Sequence, residues 1–172
     1  DIRKTVDIPL IIMGYFNPMM QFGVENFCQQ CNEIGIDGLI IPDLPLEEYL
    51  TEYQSIFEKY NLKNVFLITP QTSNERIIEI DSVSNSFIYM VSTAAVTGSQ
   101  AGFGNDQMSY FEHISNLNLK NPQIIGFGIN NMETFNQATI HQKGAIIGSA
   151  FIKFISKNPI DKIDEFVKNF KV

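Results

Sequence analysis

Six stretches of this chain are apolar almost without interruption: PLIIMGYF (9–16), DGLIIPDL (37–44), NVFLITP (64–70), SFIYMVS (86–92), PQIIGFGI (122–129) and GAIIGSAF (144–151). A strand with one wet face alternates polar and apolar residues. A run apolar on both faces is what a strand needs when helices cover it from both sides, as in a parallel sheet. The segments between the runs carry helical stripes instead. Leu46, Leu50, Tyr53, Phe57 and Tyr60 form one; Met108, Phe111, Ile114 and Leu117 another; Ile160, Ile163, Phe166, Val167 and Phe170 a third. Strict alternation of the two patterns predicts βα units on a parallel sheet, with strands near 9–15, 38–42, 64–68, 87–91, 123–127 and 145–147.

Such units build either an open doubly wound sheet or a closed barrel. No GxGxxG follows the first run, and the glycines come late in the chain. That distribution favours the barrel, whose phosphate site is commonly built by its last two βα loops. A complete barrel takes roughly 250 residues, and this chain has 172. The expectation is therefore one domain, residues 1–172, forming the C-terminal three-quarters of a (β/α)₈ barrel with about six βα units and the first two missing. The chain opens on Asp1 rather than Met, so an upstream segment is expected to have been cut away or left out.

Charge narrows the partners. A net charge of −7 argues against nucleic acid, which rewards basic surfaces, and against an anionic membrane. No apolar run approaches the ~20 residues of a spanning helix. The apolar part of DIRKTVDIPLIIMGYF is short, follows a proline and leads to Asn17-Pro18 rather than a small-residue cleavage site, so it does not read as a signal peptide. The setting expected is cytoplasmic. Cys28 and Cys31 form a CxxC at helical spacing with Val24 and Phe27, which puts the pair mid-helix rather than at the helix N-terminus that activates a thiol. With no second cysteine pair, and His113 and His141 isolated, no metal ligand set is expected. Glu47 and Glu48 stand where a helix begins and read as solvated first-turn acids.

Three glycine-bearing segments follow strand runs: VTGSQAGFG (96–104), GFGINN (126–131) and IGSAF (147–151). In a parallel barrel all three lie at the C-terminal rim, where active sites form. Glycine lets backbone N–H groups approach an anion, and a helix start adds a favourable dipole. Gly148 and Ser149 read as the start of a short helix aimed at such an anion, so phosphate can be held without a cluster of basic side chains. The loop from Thr97 to Asn105 reads as a lid, expected to be least ordered over about 97–107.

In this order and spacing, NPM after the first run, GIDGLIIPDLPLEE, VTG after a tyrosine-containing run, GFGI and GAIIGSAFIK resemble the tryptophan synthase alpha subunits. The likeness runs from about Pro9 to Lys157, from that family's third strand onward. It implies a lyase of tryptophan biosynthesis that cleaves indole-3-glycerol phosphate by a retro-aldol step into indole and glyceraldehyde 3-phosphate. It further implies a phosphate site at Gly98, Gly126, Phe127, Gly128, Gly148 and Ser149, and an indole pocket at Met13, Ile40, Leu67 and Ile146. Tyr89 matches a tyrosine beside the catalytic carboxylates. Asp43, with Asn17 and Thr97, falls at the lid and subunit interface. The implied partner is a beta subunit in an α₂β₂ heterotetramer; pyridoxal phosphate is expected only in that partner, and no cofactor in this chain.

There are departures. The family's acid/base glutamate and its partner aspartate precede the matched region, so neither is assigned here. Thr93 and Ala95 stand where other members carry arginine and glycine. Tyr89 alone is a poor base, with an ordinary pKa of about 10, and Asp43 is a single carboxylate. Six strands would also leave two open edges, exposing unpaired backbone and apolar strand faces. These 172 residues by themselves are therefore expected to be inactive and prone to aggregate, the working protein carrying roughly two further βα units ahead of Asp1. Two alternatives stand beside this reading. Another phosphate-binding barrel would need a catalytic lysine or cysteine where the strand ends offer Asn17, Asp43, Thr69 and Thr93. A non-catalytic phosphate-binding activator subunit would need no acid or base at all.

Overall fold

Strand pairing in this chain is parallel wherever it is described. The computed structural model describes residues 2–92 and 103–170. β1 (Ile11–Met13), β2 (Gly38–Ile40) and β3 (Lys63–Asn64) form one sheet in that order. Ile11, Ile12 and Met13 stand opposite Gly38, Leu39 and Ile40, and Gly38 and Leu39 opposite Lys63 and Asn64. β4 (Leu67–Ile68), β5 (Ile88–Val91), β6 (Gln123–Gly126) and β7 (Gly144–Ala145) form a second sheet, also in sequence order. Ile88 to Val91 run opposite Gln123 to Gly126, and Ile124 and Ile125 opposite Gly144 and Ala145. Helices connect the strands: α1 (Phe16–Phe22), α2 (Val24–Glu33), α3 (Leu46–Glu48), α4 (Gln54–Lys59), α5 (Asn74–Val83), α6 (Asn105–Asn116), α7 (Met132–Thr139), α8 (Ser149–Ile155) and α9 (Ile163–Lys168). The βα alternation read from the apolar runs is thus present. Among the described residues, no helix is long and apolar enough to cross a membrane.

By packing, the chain divides into two compact units: Asp1–Leu67 with Ser82–Phe87, and Ile68–Asp81 with Ile88–Val172. In the first unit Leu39, Phe57, Leu62 and Val65 are fully buried, and Tyr49 packs edge-on against Phe57 and Phe66 at 5.3 and 5.2 Å. In the second, Ile88, Met90, Phe111, Ile114 and Ile125 form the core.

Two expectations need correction, and one is met. The third run is two strands, not one: Val65 donates its N–H to Leu39 O at 2.9 Å, which keeps β3 with the first sheet, and β4 belongs to the second. β1 is an open edge of its sheet, as six strands predict, so Ile11 and Met13 remain exposed, and beside it Ile12, Phe22, Phe27, Cys31, Ile34 and Ile41 line an apolar groove of about 610 Å³. The stripe Leu46–Leu50–Tyr53–Phe57 is broken by a π-helical turn at Tyr49–Tyr53. Tyr49 and Phe57 are eight residues apart, about 80° out of phase in a regular α-helix at 3.6 residues per turn. The wide turn absorbs one residue, so both rings reach the core and Leu50 is only half-buried.

The CxxC behaves as its spacing predicts. Both thiols are free and buried on α2, and burial pushes Cys28 up to about 12 and raises Cys31.

Candidate functional site

The C-terminal ends of β5, β6 and β7 lie side by side in the second unit, because the three strands are neighbours and parallel. β6 runs into Gly126, Phe127 and Gly128. Phe127 has φ +71° and Gly128 φ +81°. Two successive left-handed residues form a sharp turn, and a phenylalanine there is strained by roughly 1–2 kcal/mol. The sequence reading placed Phe127 inside the strand; the structure ends the strand at Gly126 and leaves the Phe127 ring 45% exposed.

The glycines at this rim have different reasons to be glycine. A Cβ on Gly126 would lie 2.0 Å from the Tyr89 hydroxyl, so the Tyr89 ring occupies that space. At Gly128 the left-handed φ would strain any other residue, and a Cβ would lie 3.0 Å from the Phe103 ring. Gly148 has neither constraint: its φ is −107°, and an added Cβ meets no described atom within 4 Å. It precedes α8, whose first-turn N–H groups have no intrahelical acceptor.

Backbone donors near the turn sort in the same way. Asn130 and Asn131 give their N–H groups to the Thr134 hydroxyl at 3.0 and 3.2 Å, and Thr134 gives its own to Asn131 Oδ1 at 2.9 Å, which closes off the start of α7. The N–H groups of Phe127 and Gly128 donate to no described atom. Ile146 continues the β7 ladder, its N–H bonded to Ile125 O at 2.7 Å. Among the described residues the rim thus offers unbonded amides on one strand end and an uncrowded glycine at a helix start on the next, a constellation suited to an anion.

Tyr89 lies on β5, opposite Ile124, with its ring edge-on to Phe127 at 6.2 Å. Burial raises its phenol above 10, so at neutral pH it is a hydrogen-bond donor and not a base. Sequence reasoning missed Ser92, fully buried after β5, which donates through Oγ to Phe127 O at 2.8 Å and through N–H to Gly126 O at 3.1 Å. It missed Gln107 too, whose Nε2 donates to Ser92 O at 3.3 Å while its Oε1 accepts from Gly104 N at 2.9 Å. Neither residue type has a pattern that spacing alone reveals.

In the first unit Met13 and Ile40 stand opposite each other across β1 and β2, Ile40 buried and Met13 55% exposed. Leu67 begins β4 and is half-buried. Asp43 follows β2, and its Oδ1 accepts the Phe16 N–H at 2.8 Å, satisfying the first amide of α1. Asn17 is exposed in that first turn, with Pro18 next to it, where proline is tolerated. Thr93, Ala95, Thr97 and Gly98, and most of the expected lid, lie outside the described residues.

Comparison with known proteins agrees with this arrangement. The family model described as "Tryptophan synthase alpha chain" matches residues 1–172. The tryptophan synthase alpha chain of Flavobacterium johnsoniae is 74% identical over 167 residues, covering 97% of this chain and 66% of the relative. That of Christiangramia forsetii is 65% identical over 170 residues, covering 99% and 66%. Among solved structures, a mutant tryptophan synthase alpha-subunit from Pyrococcus furiosus superimposes with a TM-score of 0.83 at 25% identity, covering 98% of this chain and 68% of that one. The tryptophan synthase alpha chain from Legionella pneumophila gives 0.75 at 33% identity, covering 95% and 58%. This chain spans just under two thirds of the length of these curated relatives. Its parallel βα units are those of the (β/α)₈ barrel class, and the alternative of some other phosphate-binding barrel is set aside. The match over every residue, together with the rim that the glycine motifs build, places the chain in the tryptophan synthase alpha chain family.

Proposed function

We propose that this chain is the substrate-holding part of a tryptophan synthase alpha subunit, a carbon–carbon lyase that cleaves indole-3-glycerol phosphate to indole and glyceraldehyde 3-phosphate. The observation that carries the reading is the contrast at the rim: Gly148 stays a glycine with nothing described to crowd it, beside a turn whose Phe127 and Gly128 amides have no acceptor among the described residues. The substrate phosphate takes those donors, with Ser149 and the Gly98 position of the family pattern completing the set. In the family pattern Met13, Ile40, Leu67 and Ile146 are the apolar positions given to the indole ring.

The reaction breaks the bond between the indole ring and the glycerol chain. One proton goes to the ring carbon and one leaves the chain hydroxyl, so an acid and a base must both stand within about 3 Å of the reacting atoms. In this chain Tyr89 is a neutral phenol, able to offer a proton to a hydrogen bond but not to act as a base, and Asp43 is engaged with α1. The acid/base carboxylates of the family pattern have no counterpart among these residues, so this chain's own share is binding and orientation. The partner in this reading is a beta subunit in an α₂β₂ assembly, reached through Asp43 and Asn17 of the first unit. Pyridoxal phosphate belongs to that partner, and the setting is the cytoplasm.

The test uses the protein that carries this chain. Gly148→Val should raise the KM for indole-3-glycerol phosphate about tenfold or more, since a branched side chain fills the space the phosphate needs. Stability should change by no more than about 1 kcal/mol, the scale of a helix-cap effect. An unchanged KM would reduce the glycine to a turn former.

A further inference from the structure

Ser92 is fully buried after β5, and both of its donors are directed at the 126–128 turn. Its N–H bonds Gly126 O at 3.1 Å and its Oγ bonds Phe127 O at 2.8 Å. In a trans peptide the carbonyl and the N–H of one plane point in opposite directions. Holding the Gly126 carbonyl therefore aims the Phe127 N–H away from Ser92, and holding the Phe127 carbonyl does the same for the Gly128 N–H. These are the two amides without an acceptor among the described residues. The serine is itself fixed, because Gln107 Nε2 donates to its carbonyl at 3.3 Å. Gln107 also ties Gly104, and Phe103 packs against Gly128.

We propose that Ser92 is a positioning residue of the anion site: its hydroxyl locks the Phe127–Gly128 peptide so that the Gly128 N–H faces the phosphate. This rests on the phosphate-binding reading above. The two bonds have separable duties. The backbone N–H of Ser92 orients the Phe127 amide whatever the side chain, whereas only the hydroxyl orients the Gly128 amide. With the hydroxyl gone, the 127–128 peptide is free to flip, a rotation that glycine at position 128 permits without steric penalty.

The experiment titrates inorganic phosphate into the protein that carries this chain, following amide resonances by ¹⁵N–¹H NMR and affinity by calorimetry. In the parent, the Phe127 and Gly128 amides should both shift as phosphate binds. In Ser92→Ala the affinity should fall about tenfold, the scale of one lost hydrogen bond. The Gly128 response should vanish while that of Phe127 persists. Ser92→Thr, which keeps the hydroxyl, should restore both. If Ser92→Ala binds phosphate as the parent does and Gly128 still responds, the hydroxyl has no positioning role. A parent that does not bind phosphate at all would overturn the site reading itself, and this proposal with it.

Discussion

A methyl group added at Gly126 overlaps the Tyr89 phenol, and one added at Gly148 meets no described atom. The same substitution should therefore act through different physics at the two positions. Gly126→Ala forces the Tyr89 ring or the β6 backbone to move, and overpacking of this kind costs about 2 kcal/mol. A urea unfolding midpoint equal to that of the parent would show that the ring yields freely. Glycine clusters are legible in a sequence because they are rare residues standing after strand runs. What the sequence does not carry is which glycine faces a ring, which needs a left-handed φ and which is left bare. That sorting depends on Tyr89 and Phe103, which lie 37 and 25 positions before Gly126 and Gly128. Ser92 was hidden for a related reason: its partners are backbone carbonyls, and backbone has no letter in a sequence.

Helix α5 shows the same limit one level up. Asp81 is buried near its end and accepts the Lys120 N–H at 2.8 Å, the Asn121 N–H at 3.0 Å and the Asn121 Nδ2 at 2.8 Å, pinning the connection that leads into β6. It is one acid among 19, and nothing in the spacing of the helix singles it out. Asp81→Ala should cost about 2–3 kcal/mol, because it leaves partly buried donors unpaired. A loss below about 0.5 kcal/mol by chemical denaturation would mean that water replaces the carboxylate. Helix α2 was more legible, since its spacing placed the cysteine pair mid-helix, and the structure buries both thiols. An ordinary thiol titrates at 9.0, but burial pushes Cys28 up to about 12. The native state holds that proton longer than the unfolded chain does, so the contribution is complete below pH 9 and is lost as the pH climbs toward 12. Stability should fall between pH 9 and 11, and Cys28→Ala should fall less steeply over the same range. Parallel slopes would contradict the burial. The π-helical turn at Tyr49–Tyr53 was illegible, because a window tuned to 3.6 residues has no place for an extra one.

For the whole molecule, the parallel βα class was readable because a strand covered on both faces must be apolar throughout, and few other constraints produce such runs. At β1 the same apolar letters lie on an open edge, as six strands predict, since coverage is set by neighbouring chain and not by the strand itself. Exposed Ile11, Met13, Tyr15, Phe22 and Ile34 surround that edge, next to the 610 Å³ groove. Unpaired strand backbone beside apolar side chains invites association. A polypeptide of these 172 residues alone should therefore sediment as oligomers or aggregates at micromolar concentration; a monodisperse monomer would count against it. The anion-facing positions have a different distribution. Tyr89, Ser92, Gly126 to Gly128, Gly148 and Ser149 all fall within a single compact unit, between residues 89 and 149. In the proposed reading, phosphate recognition is thereby carried by one continuous stretch of chain. A recombination event with both crossovers outside that stretch would transmit it whole, and lineages could rewrite the opening strands and their walls without re-evolving that grip.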